Sequence, residues 1–213
     1  MAEIWFIRHG ETDWNRLGRL QGWQDTPLNE AGIAQAAQLA RRLRGDAARI
    51  PFSALYSSDL RRAHATALTV GEALTLPVRV EPGIRERRFG VLEGLEYTRI
   101  DTVAPDAAAA WKSRDPARPL EGGETLGEFK DRIVEAVESL ARRHPEERII
   151  AVTHGGALDI IWREASGVAL HEPRHAPMLN AAINRVHVES GSWTLLEWGD
   201  SSHIGEPARD DTV

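Results

Sequence analysis

Cysteine is absent from the 213 residues, which excludes disulfides, thiolate metal sites and a thiol nucleophile. Lysine is almost absent: of 26 basic residues only Lys112 and Lys130 are lysine. Nearly all positive charge therefore sits on arginine, the better forked partner for phosphate. No apolar run approaches the ~18 residues of a membrane-spanning helix. The opening MAEIWFIRHG has neither a basic leader nor a small-residue cleavage site. The expectation is a cytoplasmic protein with no membrane partner. A surplus of positive charge is also missing. The formal net charge of -6 argues against nucleic acid as a partner, which needs a basic face to neutralise its phosphates. Any phosphate chemistry has to be local. No pair among the eight histidines has tight metal-ligand spacing with a further acid, so neither a metal nor another cofactor is expected.

What is present suits one globular domain: 42% of residues are hydrophobic and 27% charged. Apolar runs suited to buried parallel strands lie at 4–7, around 54–56 and at 149–152. Helical periods fall between and after them. Asn29 can cap a helix with Ile33, Ala36, Ala37, Ala40 and Leu43 on its apolar stripe and Gly45 at its end. Leu60, Ala63, Ala67, Val70 and Leu74 predict a second. Thr125 and Glu128 can form a capping box for a third, with Leu126, Phe129, Ile133, Val137 and Leu140 on one face. A fourth follows Gly155. The stretch INRVHVES–SWTLLEW reads as an edge hairpin. The fold class expected is α/β, a three-layer α/β/α sandwich with a mostly parallel sheet. One catalytic domain would span 1–199, followed by a loose polar tail at 200–213. Residues 83–123, rich in Gly, Pro and Ala, form an excursion that suits a lid or a mere decoration.

In parallel α/β sheets ligands bind beyond the carboxyl ends of strands, often at helix N-termini. Here one strand end carries Arg8-His9-Gly10. Another carries Ser57 and Ser58 with Arg61 and Arg62 just beyond, and a third His154-Gly155-Gly156. Histidines, arginines, hydroxyls and glycines that admit a ligand to the backbone suit one phosphoryl group. Flanking arginines also penalise an imidazolium, which keeps a histidine nucleophile neutral.

The segments RHGETDWN, SSDLRRAHATA, RERRFGVLEG and VTHGG, in this order and spacing from Glu3 to Gly156, resemble the histidine phosphatase superfamily, also called phosphoglycerate mutase-like. The resemblance implies that His9 is the nucleophile that becomes phosphohistidine, and that Arg8, Arg62 and His154 hold the phosphoryl oxygens. It makes Glu86 the proton donor to the leaving oxygen, with Asn15 and Gln21 contacting phosphate and Gly155 in the substrate site. Helical phase alone leaves Arg61 and Arg62 undecided, and Glu81, Glu93 and Glu96 are rival carboxylates for the acid. The resemblance further implies a phosphomonoesterase acting on small phosphorylated metabolites. The alternatives are a bisphosphoglycerate-dependent mutase, a non-catalytic phosphoester-binding module and a metal-dependent phosphoesterase. The hairpin edge permits a homodimer. Asp59 stands where relatives often have proline and Leu92 where many have tryptophan. The expectation is that Asp59 suits a first helical turn and that Leu92 alters the pocket wall.

Overall fold

The computed structural model describes residues 1–189, 191–205 and 210. Its strands are β1 (Ala2–Arg8), β2 (Ala54–Ser57), β3 (Val78–Val80), β4 (Arg148–Thr153), β5 (Ile183–Glu189) and β6 (Ser192–Asp200). They form one sheet of order β3-β2-β4-β1-β5-β6. The three apolar runs are its middle: β4 lies between β2 and β1, parallel to both, with Ile149 opposite Ala54 and Ile4. β5 and β6 add the antiparallel hairpin. Ser190 of its turn lies outside the described residues.

A strand sends successive side chains to opposite faces, so a run that is apolar at every position needs cover on both. Ile4, Phe6, Ile149 and Ala151 pack under α6 (Leu126–Arg143) and α7 (Gly155–Ser166). Trp5, Ile7, Ile150 and Val152 pack under α2 (Glu30–Ala47) and α3 (Arg61–Leu74). The predicted caps form: Asn29 accepts from Gly32 N, and Thr125 with Glu128 makes the capping box. The α6 face predicted from periodicity is buried throughout. Ile33, by contrast, is 60% exposed because the buried stripe of α2 runs through Gly32, Ala36, Leu39, Ala40 and Leu43. Gly45 does not end that helix, which continues to Ala47. Leu60 is the N-cap of α3 rather than its first stripe residue.

Residues 83–123 have more structure than their composition suggests. They hold α4 (Ile100–Val103), α5 (Pro105–Lys112) and a 3₁₀ turn at Gly90–Leu92. Leu92, Ile100, Ala108 and Leu120 bury with Phe89 and Leu20 in a core of their own. Leu92 thus packs inside the excursion and does not line the cavity, so its substitution for tryptophan bears on this small core. The excursion is fastened to residues 18–23. Leu20 N donates to Leu95 O, Gly94 N to Leu20 O and Tyr97 N to Gly18 O, while Glu93 Oε1 accepts from Trp23 N. Of the tail expected to be loose from residue 200, residues 200–205 are in contact with the rest of the fold, and residues 206–209 and 211–213 lie outside the described residues. Asp200 pairs with Arg42 at 3.0 Å, His203 meets Ala181 O and Ile204 packs on the α2 side of the core. Among the described residues no helix is long and apolar enough to cross a membrane.

The phase of α2 can be tested by paired truncation. Leu43→Ala removes a fully buried side chain and should lower stability by roughly 2–5 kcal/mol. Ile33→Ala should change it by less than about 0.5 kcal/mol in urea unfolding. A reversed order would mean the helix presents another face.

Candidate active site

The carboxyl ends of β1, β2 and β4 converge as their sequences suggest. β1 ends in Arg8 and delivers His9, β4 delivers His154 as the N-cap of α7, and the first turn of α3 delivers Arg62. His9 is 2% and Arg62 1% exposed. Arg61, by contrast, is exposed and gives only its backbone N–H to Asp25. The structure therefore chooses Arg62, which the helical stripe could not.

His9 Nδ1 lies 2.7 Å from Gly10 O, and Arg62 Nε lies 3.2 Å from His9 Nε2. A carbonyl only accepts and a guanidinium only donates. The ring must therefore carry its proton on Nδ1 and a lone pair on Nε2, which is the neutral tautomer. Burial drives its pKa well below the ordinary imidazole value, with the charges of Arg62 and Arg8 acting in the same direction. His154 is depressed likewise, first by burial and then by Arg62. Its Nε2 meets Ser58 Oγ at 2.8 Å, and its buried Nδ1 has no hydrogen-bond partner among the described residues. The two imidazole centroids are 5.2 Å apart.

Arg62 is fixed by Gly22 O at 2.8 Å and Gln24 O at 2.9 Å. Burial lowers its pKa to about 10, opposed chiefly by Glu86. Arg8 Nη1 donates to Met178 O at 2.5 Å. Behind these groups, Ala181 N donates to Arg8 O and Asn180 Nδ2 to His9 O. Residues 178–181 thus buttress the end of β1 at Arg8 and His9, a contribution that sequence reading missed because MLNA carries no motif.

Glu86 alone of the four candidate carboxylates lines the cavity. Glu81 pairs with Arg143, Glu96 with Arg19, and Glu93 holds the 18–23 loop. Glu86 Oε2 accepts from Gly156 N at 2.9 Å and Oε1 from Arg87 N at 2.8 Å. Burial raises its pKa, with those two N–H groups, Arg62 and Arg8 pulling it back. A Cβ on Gly156 would lie 2.2 Å from Glu86 Oε1. The second glycine of VTHGG therefore makes room for the Glu86 carboxylate. Gly10 has a different reason: its Cβ would meet Gly32 O at 2.5 Å. The glycine of RHG thus serves the close approach of α2, not of a ligand. The Glu86 backbone is clamped by Arg132, which donates to Gly83 O, Arg85 O and Glu86 O while its guanidinium is held by Glu124. Asp59 precedes the α3 cap and takes no place in the first turn; it pairs with Arg85, whose guanidinium sits 4.6 Å from the Trp23 ring centroid.

Asn15, Gln21 and Gly155 line the same cavity of about 370 Å³. The oxygens of Asn15 and Gln21 both lie within hydrogen-bond distance of Thr12 Oγ, at 2.9 and 3.0 Å. The outer wall adds Phe89, Tyr97, Trp111, Arg87, Arg114 and Arg174, most of which sequence reading left unassigned. Among the described residues no cluster of three or more His, Asp or Glu could hold a metal ion. Two buried cations, one carboxylate and two neutral imidazoles leave a net positive site suited to a phosphate dianion.

Comparison with known proteins points the same way. A family model described as histidine phosphatase superfamily (branch 1) matches residues 4–201. The metal-independent phosphoserine phosphatase of Arabidopsis thaliana is 37% identical over 206 residues, 96% of this chain and 84% of its own length. Probable phosphoglycerate mutase GpmB of Yersinia pestis is 32% identical over 221 residues, 99% of either chain. The solved mycobacterial glucosyl-3-phosphoglycerate phosphatase, complexed with VO3, has a TM-score of 0.80 at 31% identity, covering 94% of this chain and 100% of that one. With the match running from the first strand through the last, the chain belongs to branch 1 of the histidine phosphatase superfamily.

Proposed function

We propose that this histidine phosphatase hydrolyses small phosphomonoesters, with no metal or other cofactor, through a phosphohistidine at His9. The observation that carries the reading is the His9 tautomer. Its Nδ1–H is tied to Gly10 O, so the available lone pair is on Nε2, beside Arg62. For attack, the Arg62 Nε–H moves from that lone pair to a phosphoryl oxygen. Nε2 then bonds to phosphorus in line as the bond to the leaving alcohol breaks. Arg8, Arg62 and the unpartnered Nδ1 of His154 hold the equatorial oxygens, with Asn15, Gln21 and the backbone of Gly155 around them. Such preorganised donors act where charge develops.

Glu86 gives its proton to the departing oxygen, since an alkoxide leaves poorly unprotonated. Water then attacks phosphorus, Glu86 takes the water's proton, and His9 is released neutral with inorganic phosphate. The raised pKa of Glu86 favours the acid form needed first, and the N–H groups of Gly156 and Arg87 favour the carboxylate needed second. The likeness to the Yersinia pestis protein favours a second reading, phosphoryl transfer within a phosphoglycerate. Exchange without net phosphate release would replace hydrolysis by that reading.

After exhaustive chelation, wild type should still release phosphate from p-nitrophenyl phosphate, whereas His9→Ala should not. Intact-mass spectrometry of acid-sensitive adducts should find phosphate on the wild type alone; activity lost on chelation would overturn the cofactor-free route. Arg62→Ala should lower kcat/KM by roughly 10²- to 10³-fold.

The pH profile follows from the signs of the shifts. His9 and His154 stay neutral well below the ordinary value of 6.5, so activity should not fall as pH drops through that value. Glu86 must be protonated for the first step, so kcat/KM for an alkyl phosphate should decline as pH rises through its elevated pKa. Glu86→Gln should cost that substrate roughly 10²- to 10⁴-fold but cost p-nitrophenyl phosphate less, because its phenolate leaves without a proton. Gly156→Ala, which pushes on the same carboxylate, should show the same substrate dependence. Equal losses on both substrates would assign Glu86 another role.

A further inference from the structure

Ser58 and His154 are both fully buried, so the protons between them have to be placed within the protein. Among the described residues two groups reach Ser58 Oγ: Leu60 N donates to it at 3.3 Å, and His154 Nε2 lies 2.8 Å away. A hydroxyl has one hydrogen and two lone pairs. If His154 carried its proton on Nε2, Ser58 Oγ would accept twice and its own hydrogen would have no acceptor. A buried group left unmet in this way costs roughly 1–3 kcal/mol. If instead the Ser58 O–H donates to Nε2, both atoms are met and the ring proton falls on Nδ1.

The other nitrogen of the ring agrees. His154 is the N-cap of α7, yet its side chain makes no cap hydrogen bond. A bare Nδ1 is an acceptor, and the first N–H groups of a helix are donors in want of one. Gly156 N bonds to Glu86 Oε2 instead, and Nδ1 is buried without a partner among the described residues. A proton on Nδ1 accounts for the missing cap, because an N–H repels those amide hydrogens. A ring protonated on both nitrogens is disfavoured first by burial and then by Arg62.

We propose that Ser58 is a positioning residue whose O–H holds the His154 proton on Nδ1, making that ring a neutral hydrogen-bond donor to an anion in the site. Nε2 is taken by Ser58, so Nδ1 is the nitrogen of His154 left for a ligand. His9 then offers a lone pair while His154, with its centroid 5.2 Å from that of His9, offers an N–H. Two uncharged imidazoles divide the work of nucleophile and donor. The division is set by one acceptor, Gly10 O, and one donor, Ser58 Oγ. That the anion is a phosphoryl group in transfer rests on the phosphatase reading; the tautomer does not.

The test begins with long-range proton–nitrogen NMR correlation of the imidazoles in the full-length, nitrogen-15-labelled protein, the His154 signals being identified by their loss in His154→Gln. No turnover is involved, so the result stands whether or not His9 forms a covalent intermediate. His154 should show a protonated Nδ1 and a bare Nε2 in the wild type, and the same in Ser58→Thr, which keeps the hydroxyl. Ser58→Ala should move the ring wholly or partly to the Nε2–H form. A protonated Nε2 in the wild type would overturn the proposal, as would an unchanged Nδ1–H ring in Ser58→Ala; should that variant not fold, the wild-type spectrum decides. Kinetics then separate positioning from mere support. On p-nitrophenyl phosphate Ser58→Ala should lose roughly 10- to 100-fold in kcat/KM, and Ser58→Thr should recover most of it. Adding Ser58→Ala to His154→Gln should cost nothing further, and additive losses would break the link between the two residues. The expected tautomer without phosphohistidine at His9 would sink the hydrolysis reading alone.

Discussion

A guanidinium buried against a neutral imidazole sets the terms for everything around it. Arg62 is buried, and among the described residues no carboxylate makes a hydrogen bond or ion pair with it; two carbonyls and the His9 lone pair share its charge. Taking a cation out of water is costly unless its donors are all met. The loop of Gly22 and Gln24 therefore wraps the arginine, and that wrapping draws Gln21 to the cavity wall. The same cation disfavours a proton on His9 and lends Glu86 a distant countercharge. His9, Glu86 and the loop of Gln21 to Gln24 are thus adjusted to one buried charge.

The sheet could be read from the sequence where the local pattern left one solution. Runs such as IWFI and IIAV fit only strands covered on both faces, and the α6 face followed from period and capping box together. Reading failed where tertiary contacts override local pattern. Ile33 fits the stripe of α2 by spacing, yet Gly32 and Gln35 are the buried neighbours because the helix presses its backbone on the loop after β1. β3 has only three residues and no periodicity to find. The motif residues of the site were recognisable as types at strand ends. Their partners were not: Asn180, Met178 and Arg132 lie where only the folded chain brings them. The choice of Arg62 over Arg61 likewise depends on which side of α3 the sheet occupies.

Charge is divided unevenly over the molecule. The whole is acidic, with a formal net charge of -6, while Arg8, Arg62, Arg87 and Arg114 face one cavity. Positive charge gathered at one opening of an acidic chain concentrates field lines there. Such a field favours small anions over a large polyanion, which needs an extended basic face.

The backbone pairing between 18–23 and 93–97 has a mechanical meaning. A flap hinged at its two ends could swing clear of the cavity while residues 18–23 stayed in place. Here an outward movement of the excursion either breaks several main-chain hydrogen bonds or carries Gln21 and Gly22 with it, and Gly22 holds Arg62. The excursion is therefore built as a wall, not a door. For the proposed hydrolysis, a wall of this kind leaves the arginine contacts, and not a closing flap, to retain the phosphoryl group.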